Sequence, residues 1–142
     1  MKVQDLMTDK IITVSPEEPV SAAARLLSRY NIGSLPVCGR DGRLRGLLTD
    51  RDIVLRCVAA EEDAAEVKVS EVMTRRLVSV RAEDSVKNAA ELMSERQVRR
   101  LPVEKDGKLV GMLSLGDLAK APEFSAEAET ALEGISENIK YI

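Results

Sequence analysis

The chain has no histidine and no tryptophan, only two cysteines, and so few aromatic residues that they make up 2% of its 142 residues. Without histidine or a C-x-x-C pair, the usual ligands of a zinc site or a redox motif are missing. Cys38 and Cys57 lie in separate segments and are expected as buried, inert thiols, which suits the reducing cytoplasm. The scarcity of rings removes the platforms on which bases stack. A net charge of −3 denies the chain the basic surface that phosphate backbones require, so nucleic-acid binding is disfavoured. No stretch approaches the roughly 20 apolar residues of a membrane span, and Asp5, Asp9 and Lys10 interrupt any secretory signal at the start. A soluble intracellular protein is expected. No base is poised beside a serine or cysteine, so an enzyme is not expected either.

What is present is a duplication. Val3-Gln4-Asp5-Leu6-Met7-Thr8 returns as Val69-Ser70-Glu71-Val72-Met73-Thr74, and Leu35-Pro36-Val37 returns as Leu101-Pro102-Val103. Asp41-Gly42-Arg43-Leu44-Arg45-Gly46-Leu47-Leu48-Thr49 returns as Asp106-Gly107-Lys108-Leu109-Val110-Gly111-Met112-Leu113-Ser114. Such a unit cannot bury its apolar face alone, so the two copies are expected to pack together around a cleft with two related sites. The 44% of apolar residues must build the core from Val, Ile, Leu, Met and Ala.

Each copy reads as strand, helix, strand, hairpin turn, strand, helix. In the first copy, Ile11–Val14 is a β-branched run closed by Pro16. After Pro19, the spacing of Val20, Ala23, Ala24, Leu27 and Tyr30 predicts an amphipathic helix. Ser34–Cys38 and Leu44–Thr49 flank a turn at Gly39–Gly42, and Asp50-Arg51-Asp52 opens a helix carrying Ile53, Val54, Leu55 and Val58. The second copy repeats the order with Leu77–Val80, a helix from Ser85 to Gln97, Leu101–Val103, Leu109–Ser114 and a helix from Asp117. The expected organisation is therefore a first domain over 1–60, a linker over 61–68, a second domain over 69–121 and a tail over 122–142. In the tail, Leu132, Ile135, Ile139 and Ile142 predict an amphipathic closing helix, docked on its own chain or on a second subunit.

The copies agree most in Gly-h-h-(Thr/Ser)-x-x-Asp, where h is apolar: Gly46, Thr49 and Asp52, then Gly111, Ser114 and Asp117. Thr49 and Ser114 fall where a strand hands over to a helix and can cap it; such a helix start also suits an anion. Asp52 and Asp117 fall in the first turn. There a carboxylate can complete the cap, or accept from the adjacent hydroxyls of a sugar. Both roles are open on the residues alone.

Taken together, V-x-(D/E)-h-M-T, h-h-(T/S)-V, L-P-V, D-G-(R/K)-L-x-G and G-h-h-(T/S)-x-x-D, in order and in duplicate over residues 1 to 121, resemble a tandem pair of cystathionine-β-synthase-type (CBS) domains. The resemblance implies an α+β fold of two pseudo-symmetric β-α-β-β-α units and a cleft that takes AMP, ATP or a related adenosyl compound. By position it assigns Asp52 and Asp117 to the ribose, and Thr49 and Ser114 to ribose or phosphate. Ile12, Thr13, Val78 and Ser79 would line the adenine pocket, with backbone around Ser34 and Pro36 and around Arg100 and Pro102. Arg99 and Arg100 stand where the first copy has Gly33 and Ser34, and basic residues there point to phosphate. Gly116 stands opposite Arg51, a further asymmetry. Two unequal sites are expected, with phosphate gathered towards the arginine-bearing strand, unless both arginines form surface ion pairs.

The resemblance implies a regulatory ligand-sensing module that acts by changing its arrangement or its partner contacts. The partners expected are an adenine nucleotide, a second copy in a homodimer and an unidentified protein target, with no membrane. The alternative is a ligand-free dimerisation or scaffold protein. No metal and no catalytic cofactor is implied.

Overall fold

The structure is a computed structural model that describes residues 1–137. The chain divides into two compact units, one of residues Ile12–Leu77 and one that joins Met1–Ile11 to Val78–Ile142. They are called here the central and the split unit. Each has its own aliphatic core.

In the central unit, helix α1 spans Val20–Tyr30 with Val20, Ala23 and Leu27 of the predicted stripe buried, while Ala24 is half-buried and Tyr30, at the last turn, is exposed. Pro19 precedes it without a side-chain cap. Two of its free N–H groups are met by the following segment instead: Val20 donates to the Val67 carbonyl and Ser21 to that of Ala64, both at 2.9 Å. The acidic stretch 59–68 thus has a structural task as well as a connecting one. Strands β1 (Ser34–Cys38) and β2 (Leu44–Thr49) pair antiparallel, with Ser34 opposite Thr49 and Val37 opposite Gly46.

The expected strand at Ile11–Val14 contracts to a single parallel bridge between Val14 and Val37. The cause lies across the ladder. Val14 donates to the Pro36 carbonyl and accepts from the Cys38 N–H, and the next bond would need an N–H on Pro36 pointing at Ile12, which proline lacks. Pro102 has the same effect in the split unit, where of the expected Leu77–Val80 only Val80 enters a strand, β3, Val80–Arg81, parallel to the following strand.

The second helix of the first copy also departs from expectation. Regular α2 covers only Asp50–Ile53 and passes into a π-helical turn at Val54–Val58, closed by the Ala59 N–H on the Val54 carbonyl at 2.8 Å. Val54, Leu55 and Val58 are exposed. Helix α3, Val69–Val72, completes the unit with Val69 and Val72 buried.

In the split unit, β3 is followed by α4 (Val86–Arg96), capped by the Ser85 hydroxyl on the Asn88 N–H. Strands β4 (Arg100–Lys105) and β5 (Lys108–Ser114) then pair across a tight Asp106-Gly107 turn. Both turn residues have positive φ, 53° and 78°, as a two-residue hairpin of Asp-Gly type requires. Helix α5 is Leu115–Lys120 and α6 is Ser125–Ser136. Val3 at the other end of the chain is fully buried in this core, with Leu101, Val103 and Met93.

The tail helix packs on its own unit, with Ile135 of the expected stripe on the core and Leu132 outside it. Leu132 is 53% exposed while Ala131 is fully buried; Ala128 and Ile135 pack beside it. Gly134 lies against Ser94 of α4, and Gln97 Nε2 donates to the Gly134 carbonyl at 3.0 Å. Small residues let two helices approach closely, so the seam follows alanine and glycine. Ile139 and Ile142 lie outside the described residues. Of the two thiols, Cys57 is buried as expected, whereas Cys38 is only half-buried.

Candidate functional site

Each unit gathers its own set of the residues singled out in the sequence. In the central unit these are Ile12, Thr13, Ser34, Pro36, Thr49 and Asp52; in the split unit they are Val78, Ser79, Arg99, Arg100, Pro102, Ser114 and Asp117.

The strand-to-helix junctions are built alike. The Asp52 N–H donates to Thr49 Oγ1 at 3.0 Å, and the Thr49 N–H returns to Asp52 Oδ2 at 3.0 Å. In the split unit the Asp117 N–H donates to Ser114 Oγ at 3.1 Å and the Ser114 N–H to Asp117 Oδ2 at 2.8 Å. These reciprocal caps fix both carboxylates, so the capping role read from the sequence is present in each copy. A cap uses one oxygen and leaves the other for further work.

That further work differs between the copies. Thr74 Oγ1 donates towards Asp52, 3.2 Å from Oδ1 and 3.3 Å from Oδ2, and Arg56 Nη1 stands 3.7 Å from Oδ1. Arg56 is anchored in turn by the carbonyls of Val72 at 3.0 Å and Met73 at 3.1 Å. Asp52 is consequently only 8% exposed. Asp117 is half-buried, and its Oδ1 takes no hydrogen bond from the described residues.

Neither Thr74 nor Arg56 was singled out as a site residue from the sequence. Thr74 had a signal, since it closes the repeated h-M-T run. Arg56 had a partial one, standing four residues after Asp52 on the expected helix, but its carbonyl acceptors arrive from a distant segment.

The walls are mixed. Pro36 and Pro102 are buried, Ile12, Val78, Ser34 and Ser79 are half-buried, and Thr13 is exposed. Ser79 Oγ donates to Glu104 Oε2 at 2.9 Å, a partner that Thr13 lacks because Cys38 stands at the corresponding place. Arg99 and Arg100 are exposed, and neither forms an ion pair among the described residues. The Arg99 carbonyl accepts from the Leu115 N–H at 2.8 Å, just as Gly33 accepts from Asp50 at 3.0 Å. The two junctions thus share their backbone hydrogen bonds and cap dihedrals and differ in side chains.

Hollows occur at the hairpin end of each unit. One of about 400 Å³ is lined by Arg81, Glu83, Glu104 and Lys105, and a matching one of about 430 Å³ by Ser15, Glu17, Arg40 and Arg45. Neither contains Asp52 or Asp117, and their mixed charge marks them for no particular ligand. Among the described residues no cluster of His, Cys, Asp and Glu is placed to hold a metal, and no helix is long and apolar enough to cross a membrane.

Comparison with known proteins agrees with this architecture. The family model described as CBS domain matches residues 3–59 and 69–123. The chain is 43% identical over 134 residues to the CBS domain-containing protein YhcV of Bacillus subtilis, covering 94% of each chain. Among solved structures, the CBS domain pair of protein MJ0100 in complex with 5′-methylthioadenosine and S-adenosyl-L-methionine aligns with a TM-score of 0.75 at 26% identity, over 84% of this chain and 94% of that one. CBSX2 in complex with AMP aligns with a TM-score of 0.74 at 31% identity, over 84% and 93%.

Proposed function

The chain belongs to the CBS-domain family, with two CBS domains in an α+β fold, and from that premise we propose that it senses an adenine nucleotide or related adenosyl compound, AMP and ATP foremost, at the Ser114–Asp117 junction of the split unit. CBS pairs are regulatory modules, and similar pairs hold AMP or adenosyl ligands in their solved structures. The observation that carries the reading is the open Oδ1 of Asp117, held in place by Ser114 through the other oxygen.

A carboxylate so oriented accepts from two neighbouring hydroxyls of a ribose. The aliphatic wall at Val78 suits the flat face of a purine, and of the adjacent Arg99 and Arg100, which in extended chain face opposite sides, one offers its guanidinium to phosphate. The ligand regulates only by binding one arrangement of the protein better than another. That arrangement would be passed to a protein target or to a second copy in a homodimer, for which the exposed Val54, Leu55 and Val58 offer apolar surface. A sensor of adenine nucleotides works in the compartment that holds them, the cytoplasm. With no nucleophile–base pair at the junction, binding rather than turnover is the expected activity.

Calorimetric titration with AMP, ATP and S-adenosylmethionine tests the reading. At least one of them is expected to bind, and Asp117→Asn to weaken it by about 1.5–3 kcal/mol, the value of a hydrogen bond to a charged group. No binding by any of the three to the folded wild-type chain would end it.

A further inference from the structure

We infer that the central unit closes its own copy of the site with Arg56 and Thr74, so that each chain holds a single adenosyl ligand, in the split unit. The inference rests on the adenosyl reading above and adds its stoichiometry and the residues that set it.

Two observations in the central unit lead to it. The first is the occupation of Asp52. Its Oδ2 already accepts the Thr49 N–H at 3.0 Å, the Thr74 hydroxyl is shared at 3.2 and 3.3 Å, and the Arg56 guanidinium faces Oδ1 at 3.7 Å. A sugar diol would have to displace a hydroxyl and a cation that already satisfy the same oxygens. Arg56 does not yield readily, because the Val72 and Met73 carbonyls and Thr74 Oγ1, at 3.0, 3.1 and 3.4 Å, hold its Nη1. Ala121 occupies the corresponding sequence position in the second copy and has no charge to offer. Thr8, the counterpart of Thr74, makes the same pair of backbone bonds, with Met112, but its hydroxyl makes no hydrogen bond to Asp117.

The second observation concerns sign. Where the split unit has Arg99 beside Leu115, the central unit has Gly33 beside Asp50, and a β-carbon added to Gly33 would lie 3.6 Å from Asp50 Oδ2. A phosphate arriving there meets a carboxylate instead of a guanidinium. Arg51 is exposed one residue on, and no equivalent of Arg100 stands beside it, since Ser34 takes that place. The diol is therefore blocked in the central unit, and a phosphate there has one exposed arginine, Arg51, set against the Asp50 carboxylate.

The experiment is calorimetric titration of the full chain with AMP or ATP, whichever binds, joined to two-dimensional amide spectra that locate the ligand. Wild type is expected to bind one equivalent, with amide shifts at Ser114–Leu118 and none at Thr49–Ile53. Arg56→Ala is expected to add a second equivalent and bring shifts to Thr49–Ile53, a gain that a merely structural role for Arg56 would not create. Should Arg56→Ala not fold, Arg56→Gln retains a donor for the Val72 and Met73 carbonyls without the charge, and the same gain is expected. Two equivalents in wild type, shifts at Thr49–Ile53 in wild type, or a folded Arg56 variant that stays at one equivalent would each overturn the inference while leaving the adenosyl reading standing. Absence of binding in every variant would overturn both.

Discussion

Leu47 and Thr74 exchange a pair of backbone hydrogen bonds, the Leu47 N–H to the Thr74 carbonyl at 3.0 Å and the Thr74 N–H to the Leu47 carbonyl at 2.9 Å. The approach is close enough that Gly46, next in the strand, has no room for a side chain. A β-carbon there would lie 2.9 Å from the Thr74 carbonyl oxygen and 2.7 Å from Met73 Sδ. Met112 and Thr8 repeat the arrangement, and a β-carbon on Gly111 would meet the Thr8 carbonyl oxygen at 2.8 Å.

Gly46→Ala and Gly111→Ala are accordingly expected to destabilise their units by about 1–3 kcal/mol each, the cost of overpacking a site where backbone must move. Urea denaturation followed by circular dichroism measures it. Unchanged midpoints in both variants would mean that the strand and the Met-Thr segment separate without cost.

The tail offers a contrast between Gly134 and Leu132, two positions apart. An alanine in place of glycine within a helix ordinarily gains about 1 kcal/mol, yet Gly134→Ala drives a methyl group into Ser94 of α4, and the steric term is expected to win. Amide exchange in α6 should accelerate while α1 stays protected. Leu132→Ala removes a larger group from solvent-exposed surface and is expected to stay within about 0.5 kcal/mol of wild type. The reverse order of effects would place the packed seam on Leu132.

Acid titration probes the first hairpin. The Arg43 N–H bound to Asp41 at 3.0 Å is the main cause that holds this carboxyl below the usual aspartate range; desolvation opposes it, and the charges of Arg45 and Arg43 add to it. Because the folded pKa lies below the unfolded one, the contribution to stability is present above the unfolded value and is lost as pH falls through the folded value. Carboxyl chemical shifts should show the low midpoint persisting in Arg45→Ala, since the backbone bond remains. A return to the ordinary aspartate value in that variant would assign the effect to the Arg45 charge instead.

Patterns confined to one stretch of chain were legible in the sequence. Helix α1 followed from Val20, Ala23 and Leu27 after Pro19, and β1 and β2 from two apolar runs about the Gly39-Arg40-Asp41-Gly42 turn. The reciprocal caps at Thr49–Asp52 and Ser114–Asp117 could be read from their spacing. What escaped depends on partners far along the chain. Ile11–Val14 has strand composition, but its ladder stops at a proline that only folding sets opposite it. Arg56 looks like any surface arginine until Val72 and Met73 are brought beneath it. Leu132 seemed the natural anchor of the tail because hydropathy ignores how closely a glycine lets two helices approach.

The exchange of Met-Thr segments also bears on how the molecule is made. The segment repeated at 3–8 and 69–74 does not stay with the copy it begins: residues 69–74 complete the central unit, and residues 3–8 belong to the split one. On the ribosome the central unit emerges uninterrupted, whereas residues 1–11 are synthesised ahead of it and must wait for the chain beyond Val78 before they find their β-ladder.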